Sequence, residues 1–423
     1  MGLTRPAWSK VNVLILGISF WFFWNYWLDL FFYTSVYLFD AKQSAFLGDF
    51  YTAGQAWLAG ANPYAISQIT FVYPPTSLPF FGMFALFDPE SSAVLWMLTY
   101  FSLFALALTI MAFTIKGERR FLFVCLVVLL FFSSFPLLYM IEISEVDLIV
   151  ASLTILSLAA ERFGRRFLSA FLLSVGTLMK LNPIFLLIYF VIFRRDLKYL
   201  IYFVVSMVVT IGVSLLAVPV QLYWYYLVNI LPHLYAQYGV SDTQSIIRFL
   251  WLAGLEEPFL QVVSITGVVF FAIFAFYVNS NRWRNFGNST IRGDAMFLMN
   301  GLVVLFFSPR SYISPYAWVI MPLGLFLSSL LMENSRSIYL LLISVATFLL
   351  NSQPTGFTGW FLNTYFVSMV VPTITIGNLV MIIGLIPIFL RPTAIFHGIK
   401  NQLIHRKQNR PTHFHQTING SLS

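Results

Sequence analysis

Long apolar runs recur along the chain from residue 11 to residue 390, broken only by short polar intervals. They predict membrane-crossing helices near 11–39, 91–115, 121–141, 147–160, 167–180, 183–193, 199–219, 259–279, 294–308, 316–332, 338–351 and 364–390. A helix needs ~20 residues to cross a ~30 Å hydrocarbon core, and several of these runs are shorter. The pair 167–180 and 183–193 is squeezed between two basic clusters and reads as a short or broken hairpin. The run within 76–90 is also short, and a crossing there would invert everything downstream. It reads as a re-entrant or interfacial helix on the outer face.

Composition turns this pattern into a class. With 59% hydrophobic residues, 9% charged residues and a mean hydropathy of +0.82, the chain is expected to be an all-α polytopic membrane protein. Residues 1–390 are expected to form one integral membrane domain, with outer loops at 40–90 and 220–257, and 391–423 a loose basic tail. The single cysteine, Cys125, excludes an intrachain disulfide. Arg5 and Lys10 precede an apolar run too long for a cleaved signal, so it is expected to be retained with its N-terminus inside.

Charge then orients the helices. With the N-terminus inside, 20 of the 24 basic residues fall on the cytoplasmic side, and only Lys42, Lys180, Arg248 and Arg310 fall outside. Ten carboxylates, among them Asp49, Glu142, Glu145 and Asp147, collect on that outer side. The net charge of +8 therefore reports orientation and anionic lipid headgroups rather than a nucleic-acid partner. A multi-pass protein of the plasma (inner) membrane is expected, both termini cytoplasmic, its chemistry extracytoplasmic.

The candidate chemistry centres on residues 49–75, a polar-tolerant interval entered by Asp49 and closed by Tyr73-Pro74-Pro75. Proline disfavours helix at the residue before it, so this loop is irregular, and irregular backbone is not tolerated facing lipid. Asp49 has two readings: a catalytic carboxylate, or an N-cap of a helix starting near Phe50. Asp29, inside the first run, reads as interfacial. Glu142-Ile143-Ser144-Glu145-Val146-Asp147 is either a divalent-cation site or a turn with a solvated or hydrogen-bonding role, with the second favoured. Lys180 sits at the hairpin apex between long apolar runs, where a cation needs an anion or a carbonyl or must snorkel to the headgroups. Arg310, in Ser308-Pro309-Arg310, is a second isolated outer cation suited to phosphate. Two such cations beside an outer carboxylate suggest a phosphate-bearing lipid substrate. In the 220–257 loop, Trp224, Tyr225, Tyr226, His233, Gln244 and Arg248 suit either sugar binding or an interfacial belt; a lone histidine is more often structural. His413 and His415 in the tail are a weak metal signal.

At this point the motifs resemble a known family. Asp49-Phe50 with Ala53-Gly54, Gly60-Ala61-Asn62-Pro63-Tyr64, Phe71-Val72-Tyr73-Pro74-Pro75 and Leu95-Trp96 resemble the N-terminal signature of glycosyltransferase family 87. Gly176 with Lys180-Leu181-Asn182-Pro183 looks like its mid-chain motif, and Gln244-Ser245 and Ser308-Pro309 are looser matches. The resemblance implies a GT-C-type bundle of about 10–13 transmembrane helices, each crossing needing ~20 residues. It also implies transfer of a hexose, mannose foremost, from a polyprenyl-phosphate-linked donor to a lipid or glycan acceptor, with inversion. Asp49 then matches the catalytic aspartate, Lys180 and Arg310 are candidates for the donor phosphate, and Tyr73, Glu142, Glu145, His233, Gln244 and Arg248 for substrate binding. Two departures stand out: Ser314-Pro315 where a histidine is expected, and Ser144-Glu145 where Gly-Gln is expected.

This chemistry asks for few groups. A lipid phosphate departs as a stable anion, so no second carboxylate is required as general acid, in contrast to a glycosidase; one base suffices. No cofactor is expected, and the absence of an Asp-x-Asp pair points away from a metal. The competing readings are a transporter or flippase, which would favour internal repeats that this sequence does not show, and a non-catalytic scaffold.

Overall fold

The computed structural model describes residues 45–66, 71–234, 245–278, 289–308, 311, 314–332, 337–350 and 373–390. These residues are helical almost throughout and contain no strand. The expected first span 11–39, Asp29 and the tail 391–423 lie outside them.

The first outer segment makes a π-helical turn, Phe46–Tyr51, that runs directly into α1 (Thr52–Leu58); a second short helix, α2 (Leu78–Phe84), follows. Seven residues rise only about 10 Å, so α2 does not cross, in line with the expected re-entrant or interfacial helix. Helix α3 (Pro89–Phe113) is capped by Asp88, whose side chain accepts the Ser91 N–H at 2.9 Å. It buries Trp96, Tyr100, Phe104, Ala107 and Met111 along one face and leaves Leu98, Leu106 and Phe113 exposed. That is the stripe of a helix with protein on one side and lipid on the other.

The expected span 121–141 is two helices, α4 (Glu118–Ser133) and α5 (Phe135–Glu142). Pro136 lacks an N–H and its ring opposes the preceding turn, so Ser134 turns extended between them. Helix α6 (Asp147–Arg162) is the axis of the fold: its residues 147–160 are all buried, and it packs on α3, on α7 (Arg166–Met179) and on a 3-10 turn at Ser314–Val319. The expected hairpin is there. Helix α7 is followed by a 3-10 segment (Asn182–Leu186) and a π-helical segment (Ile188–Phe193), a return leg too short for a full crossing.

Helices α8 (Leu197–Ser214), α9 (Val220–Tyr225), α10 (Ile246–Leu252) and α11 (Glu257–Val278) follow, then α12 (Ser289–Phe307), α13 (Ile320–Met332), α14 (Ser337–Leu350) and α15 (Thr373–Leu390). Five stretches among the described residues are long and apolar enough to cross a membrane: Pro89–Phe113, Leu197–Ser214, Glu257–Val278, Thr290–Phe307 and Ser314–Met332. The last two are mostly buried, whereas α8 and α11 expose Ile201, Val208, Val262, Ile265 and Phe270, so they form the lipid-facing wall. The chain is a multi-pass all-α membrane protein.

Candidate active site

Asp49 is placed by aromatic packing. Its turn is held on both sides by rings: Phe46 stacks on Trp96 with centroids 4.6 Å apart, and Phe50 stacks on Phe81 at 4.7 Å. Gly54 lets α1 lie against α2, since a Cβ there would come within 2.8 Å of the Phe81 carbonyl oxygen. The N-cap reading of Asp49 is corrected by this geometry. The helical turn begins four residues earlier than expected, and Asp49 sits inside it rather than at its start.

The Asp49 turn is tied to the link between α5 and α6, because the Ala45 N–H donates to the Ile143 carbonyl at 2.7 Å. That link ends α5 with Ser144 at φ 56°, while the Glu145 N–H bonds back to Met140 and the Ser144 N–H to Ile141. This is a left-handed helix termination, a position that glycine favours, and it aims Glu145 inward. The position is also the one where the family resemblance leads one to expect glycine.

Three side chains converge on Lys180. The helix α7 ends at Met179, and Lys180 leaves it extended, ahead of Asn182-Pro183. Its ammonium lies 2.8 Å from one oxygen of Asp147 and 2.9 Å from the other, and 3.6 Å from Glu145. It also sits 5.7 Å above the Tyr73 ring, whose hydroxyl donates to Glu145. Trp318 Nε1 donates to Asp147 at 3.0 Å. Tyr64 holds the Tyr73 backbone through a 2.7 Å bond to its carbonyl, and Thr76 fastens the same segment to the Leu178 carbonyl at 2.8 Å. Asp49 acts electrostatically on both Tyr73 and Glu145, which joins it to this group.

The charges press on one another. Burial pushes the Glu145 carboxyl above the usual carboxylate range, Lys180 opposes it, and Asp147 and Asp49 push the same way as burial. For Lys180, burial pulls the ammonium down, but Asp147 and Glu145 outweigh it and hold it above the usual lysine range.

The hydrogen-bonding reading of this turn holds, and the solvated one changes. Glu145 and Asp147 do not form a solvated turn: Asp147 is fully shielded and Glu145 largely so. Nor do they form a divalent-cation site, because the Lys180 ammonium occupies the position between them. Among the described residues no three His, Cys, Asp or Glu side chains gather as metal ligands. Lys180 does not snorkel; it is paired.

The other candidates lie on other elements or are not described. His233 is exposed, and its Nδ1 lies 2.8 Å from the Asn229 carbonyl one turn earlier. Arg248 lies in the first turn of α10, capped by Ser245. Arg310, Gln244 and the side chain of Glu142 lie outside the described residues. Sequence reasoning passed over Trp318 and gave Asp147 no role of its own. A buried indole N–H needs an acceptor, and that was the signal available in Tyr316-Ala317-Trp318.

Residues 71–309, more than half of the 423-residue chain, match the family model of glycosyltransferase family 87. No curated protein matches the chain. Tyr73, Glu145, Asp147 and Lys180 fall inside the matched segment; Asp49 precedes it and Trp318 follows it. The chain belongs to glycosyltransferase family 87, a family of membrane glycosyltransferases.

Proposed function

We propose that the protein is an inverting hexosyltransferase of GT-C type, taking a sugar, mannose foremost, from a polyprenyl-phosphate donor to a lipid or glycan acceptor on the extracytoplasmic face of the plasma membrane. The observation that carries the reading is the partly accessible Asp49, electrostatically joined through Tyr73 and Glu145 to the cluster that holds Lys180. In the transfer, the Asp49 carboxylate takes the proton of the acceptor hydroxyl. The acceptor oxygen bonds to the anomeric carbon from the face opposite the phosphate, and the bond from that carbon to the phosphate oxygen breaks. The electron pair leaves with the polyprenyl phosphate, whose growing charge Lys180 stabilises, joined by Arg310. The donor phosphate takes the side of the ammonium that now faces Glu145, the longer of its contacts at 3.6 Å.

Charge supports the side of the membrane: Arg119 and Arg162 meet at one end of α6 and the Glu145–Asp147–Lys180 group at the other, and basic residues tend to stay inside. Among the described residues the charged groups gather at the ends of helices rather than at mid-membrane, which speaks against a transporter. The test is transfer from radiolabelled polyprenyl-phosphate mannose in membranes expressing wild type or Asp49→Asn. The amide is expected to lower transfer by about 10²–10⁴-fold, the range of a lost general base, at unchanged expression. Equal transfer by the two proteins would remove Asp49 from the chemistry.

A further inference from the structure

Lys180 is gripped unequally. Asp147 holds its ammonium with both carboxylate oxygens, at 2.8 and 2.9 Å, whereas Glu145 stands off at 3.6 Å. Asp147 is itself fixed. It opens α6, is fully shielded, and accepts the Trp318 indole N–H at 3.0 Å from a turn 171 residues away in sequence. Trp318 is also buried, so its ring cannot drift without losing packing. Lysine is otherwise a poor positioning device, a point charge on a flexible four-carbon stem. Misplacing a reacting group by about 1 Å costs on the order of 10²-fold in rate.

We propose that Asp147 and Trp318 are positioning residues for the transfer reaction: together they fix the Lys180 ammonium and leave its Glu145 side for the phosphate of the lipid donor. The inference rests on the reading of this cluster as the donor-phosphate site. The grip explains why a buried carboxylate is kept beside a lysine that must meet an anion. With Asp147 in place the ammonium stays charged and stationary, while the weaker Glu145 contact is the one that exchanges. The groups facing Lys180 are Asp147 from α6, Glu145 from the α5–α6 link and the Tyr73 ring from the first outer segment, with Asp49 acting electrostatically on Tyr73 and Glu145.

The test uses the full-length protein in nanodiscs, and its labelling readout does not need turnover. An amine-reactive reagent labels only a neutral amine, so the extent of Lys180 labelling against pH, read by mass spectrometry, follows its ionisation. Asp147→Asn removes the nearest negative charge and is expected to move the labelling midpoint down by about one pH unit or more. Trp318→Phe keeps every charge, so the midpoint is expected to stay near wild type. In that variant, however, polyprenyl phosphate should protect Lys180 only at about tenfold higher concentration, and the donor KM should rise about tenfold with a smaller change in kcat. A tenfold change is a 1.4 kcal/mol difference, near the lower end of the worth of a hydrogen bond to a charged group. An unmoved midpoint in Asp147→Asn, or wild-type protection in Trp318→Phe, overturns the proposal. If Asp147→Asn does not fold, Trp318→Phe decides alone. A wild type protected by polyprenyl phosphate yet inert toward every hexosyl donor overturns the transferase reading and leaves the grip on Lys180 standing.

Discussion

Helix α6 carries a buried ion cluster at each end, roughly 24 Å apart at 1.5 Å per residue, and the two are built in opposite proportions. At the Arg162 end, one fully shielded aspartate, Asp294, accepts from two arginines, Arg119 and Arg162, and from Ser329 at 2.6 Å. Arg119 also reaches Ser328 and the Leu325 carbonyl. Four helices, α4, α6, α12 and α13, are locked by that one carboxylate. At the Asp147 end the ratio is reversed: one lysine is shared by Asp147 and Glu145, with Asp49 acting on the same group. The first cluster meets its anion with several donors and has little left to offer a ligand. Among the described residues the second holds more carboxylates than its one lysine neutralises, and one of its contacts is long, 3.6 Å. In the proposed reading, completeness marks the structural cluster and surplus marks the reactive one.

Removing the central acid of the complete cluster should produce the largest change in stability. Asp294→Asn leaves two largely buried guanidinium groups without their counter-charge, and breaking such a pair costs about 3–5 kcal/mol. The expected outcome is a markedly lower thermal midpoint in detergent. Molecules that remain folded should keep the wild-type donor KM, because the change lies at the far end of α6. A raised donor KM at unchanged midpoint would blur the distinction between the two ends.

The surplus cluster should answer differently, through pH. The Glu145 carboxyl is raised in the folded protein by burial, with Asp147 and Asp49 acting the same way. A raised acid favours the folded state fully below its unfolded value, about 4.3 for glutamate, and loses that contribution as pH climbs through the folded value. Glu145→Gln removes the titration. The midpoint of the variant should therefore gain on wild type as pH rises from about 4 toward neutrality, while transfer falls because the Tyr73–Glu145 contact is altered. A variant midpoint that falls relative to wild type as pH rises would reverse the sign and with it the assignment of Glu145 as the strained member.

Much of the helical frame was legible because a membrane imposes a length on an apolar run, and runs such as 91–115 and 259–279 match Pro89–Phe113 and Glu257–Val278 closely. The break at Ser134 was hidden inside one apolar run, though Pro136 marks it. Asp49, Tyr73 and Lys180 could be picked out as polar residues in apolar surroundings. Their assembly could not, because sequence spacing carries no distance information across 72 residues from Tyr73 to Glu145 or 171 from Asp147 to Trp318. The Arg119–Asp294 contact, 175 residues apart, was invisible for the same reason, and those arginines read only as orientation signals.

The smallest expected effect lies in the turn that aims Glu145. Ser144 adopts φ 56°, the left-handed region, where a side chain costs roughly 1–2 kcal/mol, and its hydroxyl recovers only a long 3.4 Å contact to Ile141. Ser144→Gly relieves that strain, while the freer unfolded chain takes back about 0.4–1 kcal/mol. The net should be a gain of less than about 1 kcal/mol, read as a slightly higher thermal midpoint, with transfer retained because the Glu145 and Ser144 backbone bonds to Met140 and Ile141 need no side chain at residue 144. A loss of stability would mean that the serine hydroxyl, rather than the backbone, holds the turn. The surplus cluster would then depend on a side chain that the complete cluster has no counterpart for.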